Sequence, residues 1–482
     1  MTVRRVVVVG AGIAPAMAAT ALRRAFARGG VEVEWIETQG KASPGHTLAA
    51  LPQLQAFHRL LGLSEADVLR AGAGSFTLAR HFVGFSPGRD WWHSYGPIGR
   101  PFAALPFAQY WIKAHGAGFP AAFDYFGREA VAARNGRIRL ADGASGAATA
   151  YGYHLDAAGY AALLRVQAVR AGVTIVPDSA PVASVEGGRI SALTLSDGRR
   201  VEGDLFVDAQ GSIRAALGED ALADAAVSGC DRLLTGSAPA LRPMPLYSRV
   251  SAHGAGWSAL TPLQDRTGVT VAYDSSLMSD AEAMVAAGAP LTGEPQFMPL
   301  KPFRRIQPWA GNVVAIGDAA EQVEPLGGFD LQRLQIACAH LVSLFPVDAR
   351  AMPEAGIYNE ELANFHARLQ DFDVAQYSLN GRDEPFWQGA RARPRSPELQ
   401  ARIDLFAARG MIIEFNQDSF APDEWQALLI GAGLMPRSYD PQVDRVDEQA
   451  VMADLHGQLG AIQADVTAMD THDAALARAM QA

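Results

Sequence analysis

With 482 residues, nearly half of them hydrophobic, the chain is long enough for two or three units sharing a large core. Its formal charge of −10 argues against a nucleic-acid partner, because phosphate binding needs clustered Lys and Arg. No uncharged run reaches the length that spans a bilayer, so no membrane role is expected.

The chain opens on four consecutive valines, Val6 to Val9, which suit a parallel strand covered on both faces. A helix is expected over residues 13–28 and a second strand over 31–37, ending at Glu37. The turn between the first strand and the helix carries Gly10 and Gly12, followed by Ala14 and then Pro15. Glycines there let backbone N–H groups approach a pyrophosphate. Pro15 stands where a third glycine is usual, and a first helical turn tolerates it because the missing N–H has no partner to lose. Glu37 is placed to accept from an adenosine ribose. Arg4-Arg5 before an apolar run imitates a signal peptide, but Gly10, Gly12 and Pro15 interrupt the run.

A second flavin-type segment is expected at 151–217. Residues 156–171 read as a helix and 173–176 as a strand. Ile190–Leu195 and Arg200–Val207 read as a hairpin around Ser196-Asp197-Gly198-Arg199. Leu205-Phe206-Val207-Asp208 then leads to Gly211, an Asp-x-x-Gly end that returns the chain to a cofactor. Further on, an apolar strand runs into Gly317-Asp318-Ala319-Ala320, the kind of segment that reaches the ribityl chain of FAD. FAD is therefore the expected cofactor.

The two cysteines, Cys230 and Cys338, show neither a CxxC nor a metal spacing. They read as buried, reduced thiols of a cytoplasmic protein. No metal site is expected anywhere in the chain. The tail reads as helical. Ser396-Pro397-Glu398 opens a helix that places Leu399, Ile403 and Phe406 on one face and stops at Gly410. Leu455, Leu459, Ile462, Val466 and Met469 form another apolar stripe, read as core packing.

Taken in order, these segments resemble the flavin-dependent tryptophan halogenases over nearly the whole chain. The resemblance rests on Leu60–Asp67, Trp91–Gly96, Tyr151–Asp156, Pro262–Arg266, Ser279-Asp280, Phe303–Arg305, Trp309, Glu324–Leu326 and Leu434–Pro436. It implies an α/β fold: an FAD-binding Rossmann-like core, a mixed substrate sheet and a helical C-terminal region. The core is expected over 1–350, with sheet insertions at about 82–150 and 215–308, and the helical region over 351–482. A small aromatic substrate is implied. A separate flavin reductase is implied too, since no second nucleotide motif is visible. A homodimer is left open.

In that family a lysine holds hypochlorous acid beside the substrate and a glutamate helps polarise it. Here Thr77 stands at the lysine position and Gly327 at the glutamate position. The chain has only three lysines, Lys41, Lys113 and Lys301, none near Thr77 in sequence. Gly328, Phe329 and Asp330 follow Gly327, and an acidic Asp330 near the halide position would repel an anion. The family's tryptophan-rich motif is reduced to Gly256-Trp257-Ser258-Ala259-Leu260-Thr261-Pro262. One departure runs the other way. Asp318, with Gly327-Gly328 beyond it, resembles flavin hydroxylases of the para-hydroxybenzoate type, where such a turn faces the isoalloxazine. His93, Trp257 and Phe329 are candidates to line a substrate pocket, although nothing in the sequence pairs His93, His81 or His46 with a carboxylate. The expected activity is a flavin-dependent oxidoreductase that uses reduced flavin and oxygen on an aromatic substrate without conventional halogenase residues. A divergent working halogenase and a non-catalytic flavin binder are the alternatives.

Overall fold

A computed structural model describes residues 2–40, 45–141, 147–218 and 221–481. The chain forms two compact units. The first comprises Met1–Gly74, Leu155–Ala226 and Leu300–His366. The second comprises Ser75–His154, Val227–Pro299 and Ala367–Ala482, so the tail from Ala367 onward shares a unit with the two inserted segments.

The first unit is built on a six-stranded sheet in the order Trp309–Ala310, Val313–Ala315, Leu205–Asp208, Arg5–Gly10, Glu32–Glu37 and Thr174–Pro177. All neighbours run parallel except the first pair. Val6 to Val9 are almost wholly buried, and burial of each contributes about 1.5 kcal/mol or more. The helices Ile13–Phe26 and Ala157–Ala171 pack together. The register pairs Val9 with Asp208, Gly10 with Glu37, and Asp208 with Ala315. The carboxyl ends of four strands therefore share one edge, where open α/β sheets bind ligands.

One expectation is corrected. Residues 200–207 are two strands, not one. Arg200–Glu202 pairs antiparallel with Ala192–Thr194, and Leu205–Asp208 joins the parallel sheet. Gly203 sits at the break, where an added Cβ would lie 2.8 Å from a Val7 methyl. The Asp204 carboxylate takes the N–H groups of Arg4 and Arg5. Asn312 ties the hairpin to the sheet by accepting from Ile190 N and donating to Ile190 O, both at 2.9 Å.

The second unit carries a seven-stranded sheet that is antiparallel except where Ala79–Ser86 runs parallel to Tyr247–His253. In the tail, Ser396 Oγ accepts from Leu399 N at 2.9 Å and Gly410, at φ +68°, ends the helix Pro397–Arg409. Leu399, Ile403 and Phe406 are buried, as the periodicity requires. In the helix Glu448–Thr467, Leu455 and Val466 are buried, while Leu459 and Ile462 are only half-buried. Both cysteines are free and buried. No helix among the described residues is long and apolar enough to cross a membrane.

Several histidines are buried as neutral rings. Burial lowers His58 to about 4, although its Nε2 sits 2.8 Å from the Tyr160 hydroxyl. His154 lies between Ser75 and Ser248 and is lowered to about 3, by burial first and then by Arg80 and His472. The unfolded chain regains ordinary imidazoles and so binds more protons below about pH 6.5. Stability is therefore expected to be full above that pH. It should fall as pH drops toward 4, by about 1.4 kcal/mol per buried histidine per pH unit. Urea midpoints at pH 7.5, 6 and 5 measure this, and a flat profile would contradict it.

Candidate functional site

At the shared edge of the parallel sheet, Gly10 is held from several sides. Its carbonyl accepts from Trp35 Nε1 at 2.8 Å and from Thr38 N at 3.2 Å. A Cβ on Gly10 would lie 2.9 Å from that of Ala209. Gly12 has φ +83°, and nothing lies within 4 Å of where its Cβ would be. The helix that follows has no side-chain cap at its N-terminus. An open glycine turn leading into uncapped N–H groups fits a pyrophosphate. Ala14, in the first helical turn, touches the distal motif: a Cβ on Gly317 would lie 2.8 Å from that of Ala14. Two segments far apart in sequence thus meet through small residues.

Asp208 has a different role from the one its position suggests. Its carboxylate is wholly buried and accepts from Gln210 N, Gly211 N and Arg214 N at 2.9, 2.8 and 2.7 Å. It shapes the turn at Gly211, where φ is +93°, and presents no free oxygen outward. Glu37 is half-buried and meets the Arg165 fork, Nε to Oε1 at 2.6 Å and Nη2 to Oε2 at 2.8 Å.

Asp318 lies in the short turn Gly317–Ala319. Arg305 braces this turn, donating Nε to Ala319 O and its own N–H to Ala320 O. The side chains of Asp318 and Asp330 are solvent-accessible. Yet burial raises both carboxyls above their ordinary range, with His46 opposing the rise in each case. The raised Asp330 carboxyl also weakens the anion repulsion expected from sequence, since burial favours its neutral form.

A buried charge cluster surrounds Glu321. Glu321 Oε2 is 3.3 Å from Arg304 Nε and 3.4 Å from Arg333 Nη1, and Oε1 is 3.1 Å from His366 Nε2. Burial alone would raise Glu321, but its cationic neighbours hold it at about 2. His366 is itself lowered to about 3, chiefly by burial. It is therefore neutral near pH 7, and the two arginines carry the compensation.

The turn after Leu326 is shaped by Phe329. Gly328 has φ +66°, and a Cβ on Gly327 would lie 2.0 Å from the buried Phe329 ring. Phe329 therefore fills the space that a side chain at 327 would enter.

In the second unit Thr77 is fully buried in the strand Ser75–Thr77. Its hydroxyl donates to Ala79 O at 3.2 Å. Lys113 is engaged by Asp444 at 2.7 Å. His93 is paired after all: Nε2 lies 2.8 Å from Glu424 Oε1. Glu424 also accepts from Ala421 N through Oε2 at 2.8 Å, capping its own helix. The ring of His93 is packed against Phe372, Phe420 and Tyr95 and is almost wholly enclosed. His81, similarly, lies 3.5 Å from Asp90. Trp257 is buried in the sheet, and Trp91 and Trp92 stack on Phe82 and His81. Sequence reading missed Arg165, Arg305 and Glu424. Only Arg305 carried a signal, its place in the Phe303-Arg304-Arg305 run.

The chain matches the tryptophan halogenase family over residues 5–448. It belongs to that family. It is 26% identical to the tryptophan 7-halogenase RebH of Lentzea aerocolonigenes, covering 93% of each chain. Its fold matches BrvH, a flavin-dependent halogenase from Brevundimonas sp. BAL3, with a TM-score of 0.92, 30% identity and 99% of each chain covered. A flavin-dependent halogenase from Xanthomonas campestris gives the same TM-score at 29% identity, covering 99% of this chain and 98% of that one. The α/β fold is that of flavin-dependent halogenases. The cofactor is FAD, with reduced flavin supplied by a separate reductase.

FAD is expected to bind far more tightly than FMN, because the Gly10–Gly12 turn serves the pyrophosphate of the dinucleotide. Gly12→Trp should abolish FAD binding by filling the open space in front of the turn. Isothermal titration with both flavins measures this, and equal affinities would refute the assignment of the turn.

Proposed function

We propose that this chain is a flavin-dependent oxidoreductase that acts on a small aromatic substrate with reduced FAD and oxygen, without conventional halogenation. The observation that carries the reading is the ring of Phe329 in the space beside Gly327. A glutamate there would collide with a buried aromatic ring 2.0 Å from its Cβ. Thr77 supports the same reading. Its hydroxyl cannot form a chloramine, carries no charge, and already donates to Ala79 O.

Gly10, Gly12 and Ala14 would hold the pyrophosphate and Glu37 the ribose. Gly317, Asp318, Gly327 and Gly328 would border the ribityl chain and the isoalloxazine, with Asp208 and Gly211 shaping the turn beside them. Bound in its reduced form, FAD supplies the reaction with dioxygen. Asp318 offers its carboxylate as an acceptor for a hydroxyl. Asp330, whose carboxyl burial raises above its ordinary range, is the group placed to carry and exchange a proton. The buried Phe329 ring gives the turn apolar surface beside Gly327.

With reductase-supplied reduced FAD, oxygen and chloride or bromide, tryptophan and indole should yield no halogenated product by mass spectrometry. Reoxidation of the bound flavin should be faster than that of free reduced flavin, and faster still with an aromatic substrate, by stopped-flow absorbance. Chlorinated product at rates comparable to RebH would instead establish a divergent halogenase. Reoxidation no faster than that of free flavin would leave a binding role.

A further inference from the structure

The carboxyl edge of the sheet carries one interaction that the family assignment does not explain. Glu37 ends its strand directly across from Gly10, the two residues being register partners. Its backbone is fixed on the other side too, because Asp178 N donates to Glu37 O at 3.0 Å. Only the side chain is left to choose a direction. Arg165, reaching from the helix Ala157–Ala171, sets that direction with two parallel bonds at 2.6 and 2.8 Å.

An ion pair this exposed adds little to stability, with Arg165 about half-exposed at 48%. A two-point fork does, however, fix the plane of a carboxylate, which a single contact does not. A carboxylate has about four acceptor positions, and the fork takes two of them. The other two point outward on opposite flanks of the carboxylate, one on each oxygen, so each can take a single further donor.

We infer that Arg165 is a positioning residue for the AMP half of FAD: its fork fixes the plane of the Glu37 carboxylate so that one of its oxygens presents its remaining acceptor position to a ribose hydroxyl. The inference rests on the reading of Glu37 as the ribose ligand. It does not depend on which reaction the bound flavin performs. It also makes the helix Ala157–Ala171, from the second flavin segment, part of the adenosine site formed by the first.

Titration of the full chain with FAD, FMN and ADP tests this. Arg165→Met should weaken FAD and ADP roughly 10-fold, the scale of a disturbed hydrogen bond to a charged group. FMN, which lacks the adenosine half, should bind as it does to the unaltered chain. Arg165→Lys, which offers a point charge in place of a fork, should recover part of the loss. Unchanged FAD affinity in Arg165→Met would overturn the inference. An equal loss for FMN would overturn it too, because the effect would then be general. Full recovery with lysine would overturn the fork as its basis. Glu37→Gln separates the two readings. If it weakens FAD while Arg165→Met does not, Glu37 stands as ribose ligand and Arg165 falls. If Glu37→Gln also leaves FAD unchanged, both fall.

Discussion

Three stretches of chain meet at the carboxyl edge of the parallel sheet because Gly10 and Gly317 lack side chains. Gly10 abuts Ala209 and Gly317 abuts Ala14, each at a separation no added Cβ could accept. The strand Arg5–Gly10, the strand Leu205–Asp208 and the turn after Ala315 can therefore crowd together and leave the front of Gly12 open. A larger residue at either contact would push the segments apart and disturb the cradle. The interior is packed as densely as an organic crystal, so such strain would not stay local.

The polar groups around this edge divide into those that build it and those that face into it. Asp208 gives its carboxylate to three backbone N–H groups and so behaves as a buried structural anchor. Glu321 is equally internal, held ionised by Arg304 and Arg333. Asp318 and Asp330 differ, being accessible and raised by their surroundings. Burial favours the neutral form of such carboxyls, the direction that suits Asp330 to proton exchange.

Phe329 and Thr77 bear on the family's chemistry from the two separate units. Phe329 packs where a side chain at 327 would have to go, and Thr77 is sealed into a strand with its hydroxyl already donating. On the proposed reading, in which Thr77 and Gly327 stand for the family's lysine and glutamate, restoring one residue type alone would not recreate the site, because in each place the neighbours have closed around what is there.

The cofactor class was legible in the sequence by itself. Backbone demands for glycine at fixed positions are local, and so are the valine run of a parallel strand and the caps at Ser396 and Gly410. The same locality misled at residues 200–207, which read as one strand but break at Gly203, where a side chain would meet Val7. What tertiary structure alone decided is which side chains found partners. His93 meets Glu424, Glu37 meets Arg165, and Phe329 closes over Gly327. The first two pairs join residues far apart in the chain, and neither leaves a periodicity, a spacing or a turn signal to read. The third lies two residues apart, but the rotamer that turns the Phe329 ring onto Gly327 is chosen by the packing around it, which the sequence does not record.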